Sequence, residues 1–164
     1  MWCSWVAPFL ACWAVNPGNV LEVGVGHFST PAIHSLVTGS GHSVTSLEDN
    51  DEWMKMFCYK YRHPSHSFVT GNYDRTVATA PVTMDGIAIA LIDNSPGGER
   101  RKKDFLTLID RCDYVLVHDY HRENEEAIAP HLGGINWVVY GDYQPPTLVA
   151  SKTKAIPAIK VVLF

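Results

Sequence analysis

The residues best suited to move a proton lie in one short stretch, His118-Asp119-Tyr120-His121-Arg122. An imidazole titrating at about 6.5 can take a proton at neutral pH, and a neighbouring carboxylate can orient it. His118 and His121 are not both expected to serve, and one of them reads as a solvated loop residue. Alternation along a strand running into this stretch would point His118 and Asp119 to opposite faces. A further carboxylate, Asp93, follows the most apolar run of the chain and heads the loop Asn94-Ser95-Pro96-Gly97-Gly98. There it can orient an acceptor, accept its proton, hold a metal, or simply cap the loop.

A second stretch has the residues of a ligand-binding turn. In Glu22-Val23-Gly24-Val25-Gly26-His27-Phe28-Ser29-Thr30, Gly24 permits a tight turn and Gly26 lets the backbone approach a ligand with no Cβ in the way. Ser29 and Thr30 then offer hydroxyls and unpaired amides at a helix start. Phe28 is expected to plug the underside of the loop. Glu48 lies about 22 residues beyond Gly26, where a ribose-binding carboxylate belongs in a doubly wound sheet.

These residues must be positioned by alternating strands and helices. The β-branched and aliphatic runs predict strands at 19–23, 43–47, 67–70, 86–92 and 114–117, with later strands at 137–140, 147–150 and 159–163. Helices are predicted over 30–37, capped by Ser29 or Thr30, and over 51–61, 100–111 and 123–129. The run Ile87-Ala88-Ile89-Ala90-Leu91-Ile92 is continuously apolar, as a strand covered on both faces requires. Such alternation implies a mostly parallel sheet whose ligands bind beyond the carboxyl ends of its strands. The chemistry-bearing residues all stand just after predicted strands.

Two cofactor classes fit this frame. A dinucleotide loop needs G-x-G-x-x-G, and Ser29 occupies the third glycine position. Glu22 would repel a pyrophosphate but attract an ammonium group, directly or through water. That difference favours S-adenosylmethionine over a nicotinamide dinucleotide.

The segment Val20–Thr30 resembles the first motif of class I S-adenosylmethionine-dependent methyltransferases, in the subgroup with a Ser-Thr pair after the glycines. Ser46-Leu47-Glu48-Asp49-Asn50 is similar to their acidic second-strand motif. Leu91–Gly98 followed by Arg100 resembles the fourth-strand motif, and Tyr114–Tyr120 the fifth-strand end. The likeness runs from about Asn19 to Asp119. It implies a three-layer Rossmann-like sandwich with about seven mostly parallel strands and helices on both faces. It also implies S-adenosylmethionine as cofactor and S-adenosylhomocysteine as product. Glu22, Gly24 and Gly26 would then line the methionine half, with His27, Ser29 and Thr30 completing the loop. Glu48 would bind the ribose, Asp49 or Asn50 would lie near the adenine, and Asn72, Tyr73 and Asp74 would form the adenine edge. Asp93 would sit beside the sulfonium, with His118, Asp119 and His121 as the catalytic cluster. Some relatives hold Mg²⁺ with carboxylates matching Asp93 and Asp119, but their third ligand, an Asn, is Tyr120 here. Two carboxylates make a weak Mg²⁺ site, so metal-independent chemistry is the reading.

Composition narrows the remaining classes. The 164 residues suit one domain, 46% of them hydrophobic and 18% charged, with a net charge of -4. Only Arg100-Arg101-Lys102-Lys103 forms a basic run, which argues against large nucleic acids. That run reads as a helix start with solvated charges. Cys3, Cys12, Cys58 and Cys112 are scattered, so free thiols in a reducing, cytoplasmic setting are expected. The apolar run Trp2–Val15 is too short to span a bilayer and reads as a helix packed on the sheet, with Trp2, Trp5 and Trp13 in the core. A small-molecule acceptor methylated on oxygen or nitrogen is the leading reading. A non-catalytic S-adenosylmethionine-binding module and a nicotinamide-dependent oxidoreductase are its alternatives. The short chain leaves little sequence for a lid over the acceptor, which a second subunit of a homo-oligomer could supply.

Overall fold

The aliphatic runs become strands because side-by-side pairing buries both of their faces, and the computed structural model joins seven of them in one sheet. It describes residues 4–70, 86–142 and 144–159. In chain order the elements are α1 (Val6–Val15), β1 (Asn19–Val23), α2 (Ser29–Gly39), β2 (Val44–Glu48), α3 (Asp51–Cys58) and β3 (His66–Thr70). There follow β4 (Ile87–Ile92), α4 (Glu99–Leu108), β5 (Cys112–Val117), α5 (Glu123–Ile128), β6 (Asn136–Tyr140) and β7 (Thr147–Ser151). The strand order is β3-β2-β1-β4-β5-β7-β6. The pairs from β3 to β5 are parallel, whereas β7 runs antiparallel between β5 and β6. A short connection from β6 suffices for that reversal, because antiparallel neighbours need no helical crossover.

Every residue of β4 is buried, as its unbroken apolar run requires. Neighbouring residues of the central strands feed two separate cores. Leu21, Val23, Val115 and Val117 join Phe105 and Leu108 of α4 and Ile128 of α5. Val20, Tyr114 and Leu116 join Phe9 and Trp13 of α1 and Ile33 and Val37 of α2. Trp5 and Trp13 are therefore core residues, Trp2 lies outside the described residues, and α1 packs on the sheet as its composition predicts. Burying a side chain of this size stabilises the fold by roughly 1.5–3 kcal/mol.

Several element ends differ from the pattern. Helix α2 begins at Ser29, with Phe28 in the N-cap position and no side-chain cap, so neither Ser29 nor Thr30 caps it. The reason is that the Thr30 hydroxyl is held by Glu22. Phe28 is 68% exposed and plugs nothing. Helix α3 stops at Cys58 and is capped by Asn50, whose Oδ1 accepts the Trp53 amide at 3.0 Å. The chain continues through Pro130 as a 3-10 turn, Ala129–His131, which an early-position proline permits. Asn72, Tyr73 and Asp74 lie outside the described residues, as does most of the stretch 159–163. No helix among the described residues is long and apolar enough to cross a membrane.

Candidate active site

The order of strands reverses between β1 and β4, and ligands of open α/β sheets bind at such a switch point. Ladder bonds continue just past the strand ends. Gly24 N donates to Leu47 O at 2.8 Å, Asp93 N to Val23 O at 2.8 Å, and His118 N to Ile92 O at 3.1 Å. This row fixes Gly24, Asp93 and His118 side by side. Gly24 has φ +94°, and a Cβ there would lie 2.8 Å from the backbone of Asp93 and Asn94. Only glycine allows the two loops to approach so closely.

A cavity of about 340 Å³ opens at this point, lined by Gly24, Val25, Glu48, Asp49, Trp53 and Asp93 among others. Glu48 is fastened by backbone amides. Its Oε2 accepts from Val25 at 3.2 Å, and its Oε1 from Asp49 at 3.0 Å and Asn50 at 2.9 Å. Four acceptor positions on a carboxylate leave one for an incoming hydroxyl. Desolvation raises the Glu48 pKa above the ordinary carboxylate range. The Trp53 indole donates to Val25 O at 2.7 Å, which stands its ring against the cavity. His27 is exposed and packs its ring 5.0 Å from Trp53 and 5.3 Å from Phe57. Asp49 does not extend freely toward a base, because Arg100 Nη1 binds its Oδ2 at 2.7 Å.

Glu22, Ser29 and Thr30 lie behind the loop rather than in the cavity. Glu22 is fully buried and accepts from Thr30 Oγ1 at 2.9 and 3.0 Å and from Ser46 Oγ at 2.6 Å. Thr30 Oγ1 in turn accepts from Gly26 N at 3.0 Å, so the carboxylate anchors the glycine turn from within. Burial raises the Glu22 pKa to about 7, against the opposing pull of its hydroxyl donors.

A second cavity, about 440 Å³, shares Ser95 with the wall of the first and is lined by Arg101, Asp119, His121, Arg122 and Asn124 among others. Asp93 lines the first cavity and Asp119 the second, and His118 approaches both carboxylates. His118 Nδ1 lies 3.1 Å from Asp93 Oδ1 and 3.9 Å from Asp119 Oδ1. The expectation that His118 and Asp119 point to opposite faces is therefore overturned. Strand β5 ends at Val117, and Asp119 adopts φ 54°, which turns its carboxylate back toward the histidine. His118 Nε2 and His121 Nδ1 are buried and have no hydrogen-bond partner among the described residues. Tyr120 is buried in the core.

The basic run is also corrected. Arg101 is only 4% exposed. Its guanidinium donates to the carbonyls of Asn94 and His118 and lies 3.3 Å from Asp93 Oδ1. Positions 101, 104, 105 and 108 share one helical face, and all four are buried. The spacing from Arg101 to Phe105 and Leu108 was the signal that marks this arginine as an inward one. Arg100 likewise has only 13% of its side chain exposed.

Neither a family model nor a curated protein matches the sequence. Solved structures do match the backbone. The methyltransferase PaMTH1 of Podospora anserina, bound to S-adenosylhomocysteine, superposes with a TM-score of 0.66 at 12% identity over 88% of this chain and 75% of its own. The precorrin-6y C5,15-methyltransferase of Geobacter metallireducens gives 0.61 at 11% identity, over 86% and 83%. The ribosomal protein L11 methylase of Lactobacillus delbrueckii subsp. bulgaricus gives 0.60 at 15% identity, over 90% and 77%. This is the methyltransferase fold. Within the methyltransferase fold of this chain, the loop after β1, Glu48 at the end of β2 and Asp93 after β4 surround the first cavity, and the residues after β5 border the second.

Proposed function

We propose that this protein is an S-adenosylmethionine-dependent methyltransferase acting on an oxygen or nitrogen of a small-molecule acceptor. The observation that carries the reading is the cluster of His118 with Asp93, which lines the first cavity, and Asp119, which lines the second. The first cavity takes the cofactor. Glu48 keeps an acceptor position for a ribose hydroxyl, Gly24 and Val25 form the wall, and Trp53 offers a flat apolar face. S-adenosylmethionine supplies an electrophilic methyl group on a sulfonium. The second cavity is polar and receives the acceptor.

The chain's own residues then act on the acceptor proton. Asp93 accepts His118 Nδ1–H and fixes the tautomer that leaves Nε2 as the base. That Nε2 has no hydrogen-bond partner among the described residues, which leaves it for a donor on the acceptor. Asp119 and Asp93 stabilise the imidazolium that results, as carboxylates beside a protonated histidine do. Arg101 holds Asp93 and the His118 carbonyl in place.

The residues do not suit Mg²⁺. Asp93, His118 and Asp119 bring ligand atoms within 4.8 Å of one another. One of the three is nitrogen, however, and the Arg101 cation already faces Asp93 Oδ1. Turnover is therefore expected to survive chelation by EDTA, and a loss restored by added Mg²⁺ would reverse this assignment.

Calorimetry with S-adenosylmethionine and S-adenosylhomocysteine tests the cofactor. Absence of binding for both at high micromolar concentration would sink it. Methyl transfer to hydroxyl- or amine-bearing small molecules, followed by mass, tests the acceptor class.

A further inference from the structure

The buried carboxylate of Glu22 is one end of a continuous chain of polar contacts. Glu22 on β1 stands opposite Ser46 on β2 in the parallel register, and Ser46 Oγ lies 2.6 Å from Glu22 Oε2. The same hydroxyl lies 2.9 Å from His66 Nε2, at the start of β3. His66 Nδ1 lies 2.9 Å from Nδ1 of His34 on α2. Glu22 and Ser46 are fully buried and His66 nearly so, whereas His34 is half-buried and reaches toward the surface.

Each link has one hydrogen, and only two arrangements satisfy them all. With Glu22 ionised, Ser46 donates to Glu22, His66 Nε2–H donates to Ser46, and His34 Nδ1–H donates to His66 Nδ1. His34 Nε2 is then an open acceptor. If a solvent proton binds there, His34 passes its Nδ1 proton to His66 Nδ1. His66 passes its Nε2 proton to Ser46, and Ser46 passes its own to Glu22. The net change is one proton gained by Glu22, with every intermediate residue neutral before and after. Neutral imidazoles are what this site favours, since burial and the neighbouring histidines push His66 down to about 4 and His34 below its ordinary value.

We propose that Ser46, His66 and His34 are positioning residues that deliver and remove the proton on Glu22, and that the charge so set makes the cofactor site distinguish a sulfonium cofactor from its neutral thioether product. This rests on the S-adenosylmethionine reading of the first cavity. Glu22 lies just behind the Gly24–Gly26 turn and is tied to Gly26 N through Thr30. Its charge in a dry interior acts on that cavity with little screening. An ionised Glu22 strengthens the preference for the sulfonium, and its protonation weakens that preference. The groups facing Glu22 are Ser46 from β2, Ser29 and Thr30 from α2, and the Asp93 carboxylate beyond β4, which resists ionisation. Those facing the histidines are His63 and the rings of Tyr61 and Phe68.

The test is calorimetric affinity for S-adenosylmethionine and S-adenosylhomocysteine at about pH 6 and about pH 8. The ratio favouring S-adenosylmethionine should rise by up to roughly tenfold at the higher pH. Glu22→Gln should flatten it. Ser46→Ala removes a donor to the ionised form and should move the midpoint upward by about one pH unit. His34→Asn, at a half-buried position, should also move it, and serves if a variant of the buried His66 does not fold. A flat ratio in the unmodified protein, or a midpoint unmoved by Ser46→Ala and His34→Asn, overturns the proposal. Failure of both ligands to bind overturns the cofactor reading instead. The infrared carboxylic-acid band of the ligand-free protein then decides the chain of contacts separately. That band should grow as pH falls through about 7 and be missing in Glu22→Gln, and its absence from the unmodified protein refutes the proton path.

Discussion

The two cavities share Ser95 in their walls, yet their polar groups are held in opposite ways. On the β1–β2 side, Glu48 is bound by three backbone amides and Glu22 by side-chain hydroxyls, and each leaves its partners satisfied. On the β4–β5 side, His118 Nε2 and His121 Nδ1 are buried without partners among the described residues, and Asp119 and Arg122 have φ of 54° and 50°. Unpaired buried nitrogens cost roughly 1–3 kcal/mol each, and left-handed backbone in non-glycine residues costs a similar amount. A satisfied site holds a fixed shape for a ligand. An unsatisfied one has hydrogen-bonding capacity left for a reacting molecule.

That contrast can be broken most sharply at His118. His118→Ala should lower turnover by roughly 10²–10⁴-fold with cofactor affinity nearly unchanged. Steady-state kinetics beside calorimetry checks this, and a parallel loss of both would mean that the two sides are not separate. Arg101→Met comes next. Removing one partner of a buried ion pair should cost about 3–5 kcal/mol in chemical denaturation, because Asp93 and two carbonyls lose their donor.

Glu22→Gln should act on stability with a definite pH dependence. The folded-state pKa is raised from 4.5 to about 7, so the native protein keeps a proton that the unfolded chain releases. Stability from this group is complete below about pH 4.5 and is lost as pH rises to about 7. The Gln variant lacks that loss and should be more stable above pH 7 by on the order of 3 kcal/mol, an upper bound read from urea midpoints across pH. The smallest effect is expected at Glu48→Gln. The open acceptor position should be weakened and cofactor affinity reduced by roughly tenfold or somewhat more, with turnover at saturating cofactor retained. If turnover collapses instead, Glu48 belongs with the acceptor side.

Much of this arrangement is legible in the residues. The apolar runs place β1, β2, β4 and β5, and the glycine turn, Glu48, Asp93 and His118 stand at their carboxyl ends as the alternation requires. Less legible are the residues whose partners come from other strands. Ser46 and His66 carry no local pattern, and only strand pairing brings them to Glu22. The backbone reversal at Asp119 has no glycine to announce it, so alternation gives the wrong face. Arg101 was readable from its helical spacing, though a run of four basic residues conceals it.

The sequence by itself determines which segments become strands and what chemistry follows each of them, because hydrophobic periodicity and turn residues are local properties. Tertiary structure alone decides that Glu22 faces Ser46 and Thr30 instead of the cavity, that Arg101 binds Asp93, and that Asp119 turns toward His118. Those outcomes depend on how buried polar groups find partners among residues far apart in the chain. A buried carboxylate or guanidinium cannot remain unpaired, and only the folded neighbourhood determines which partner it takes.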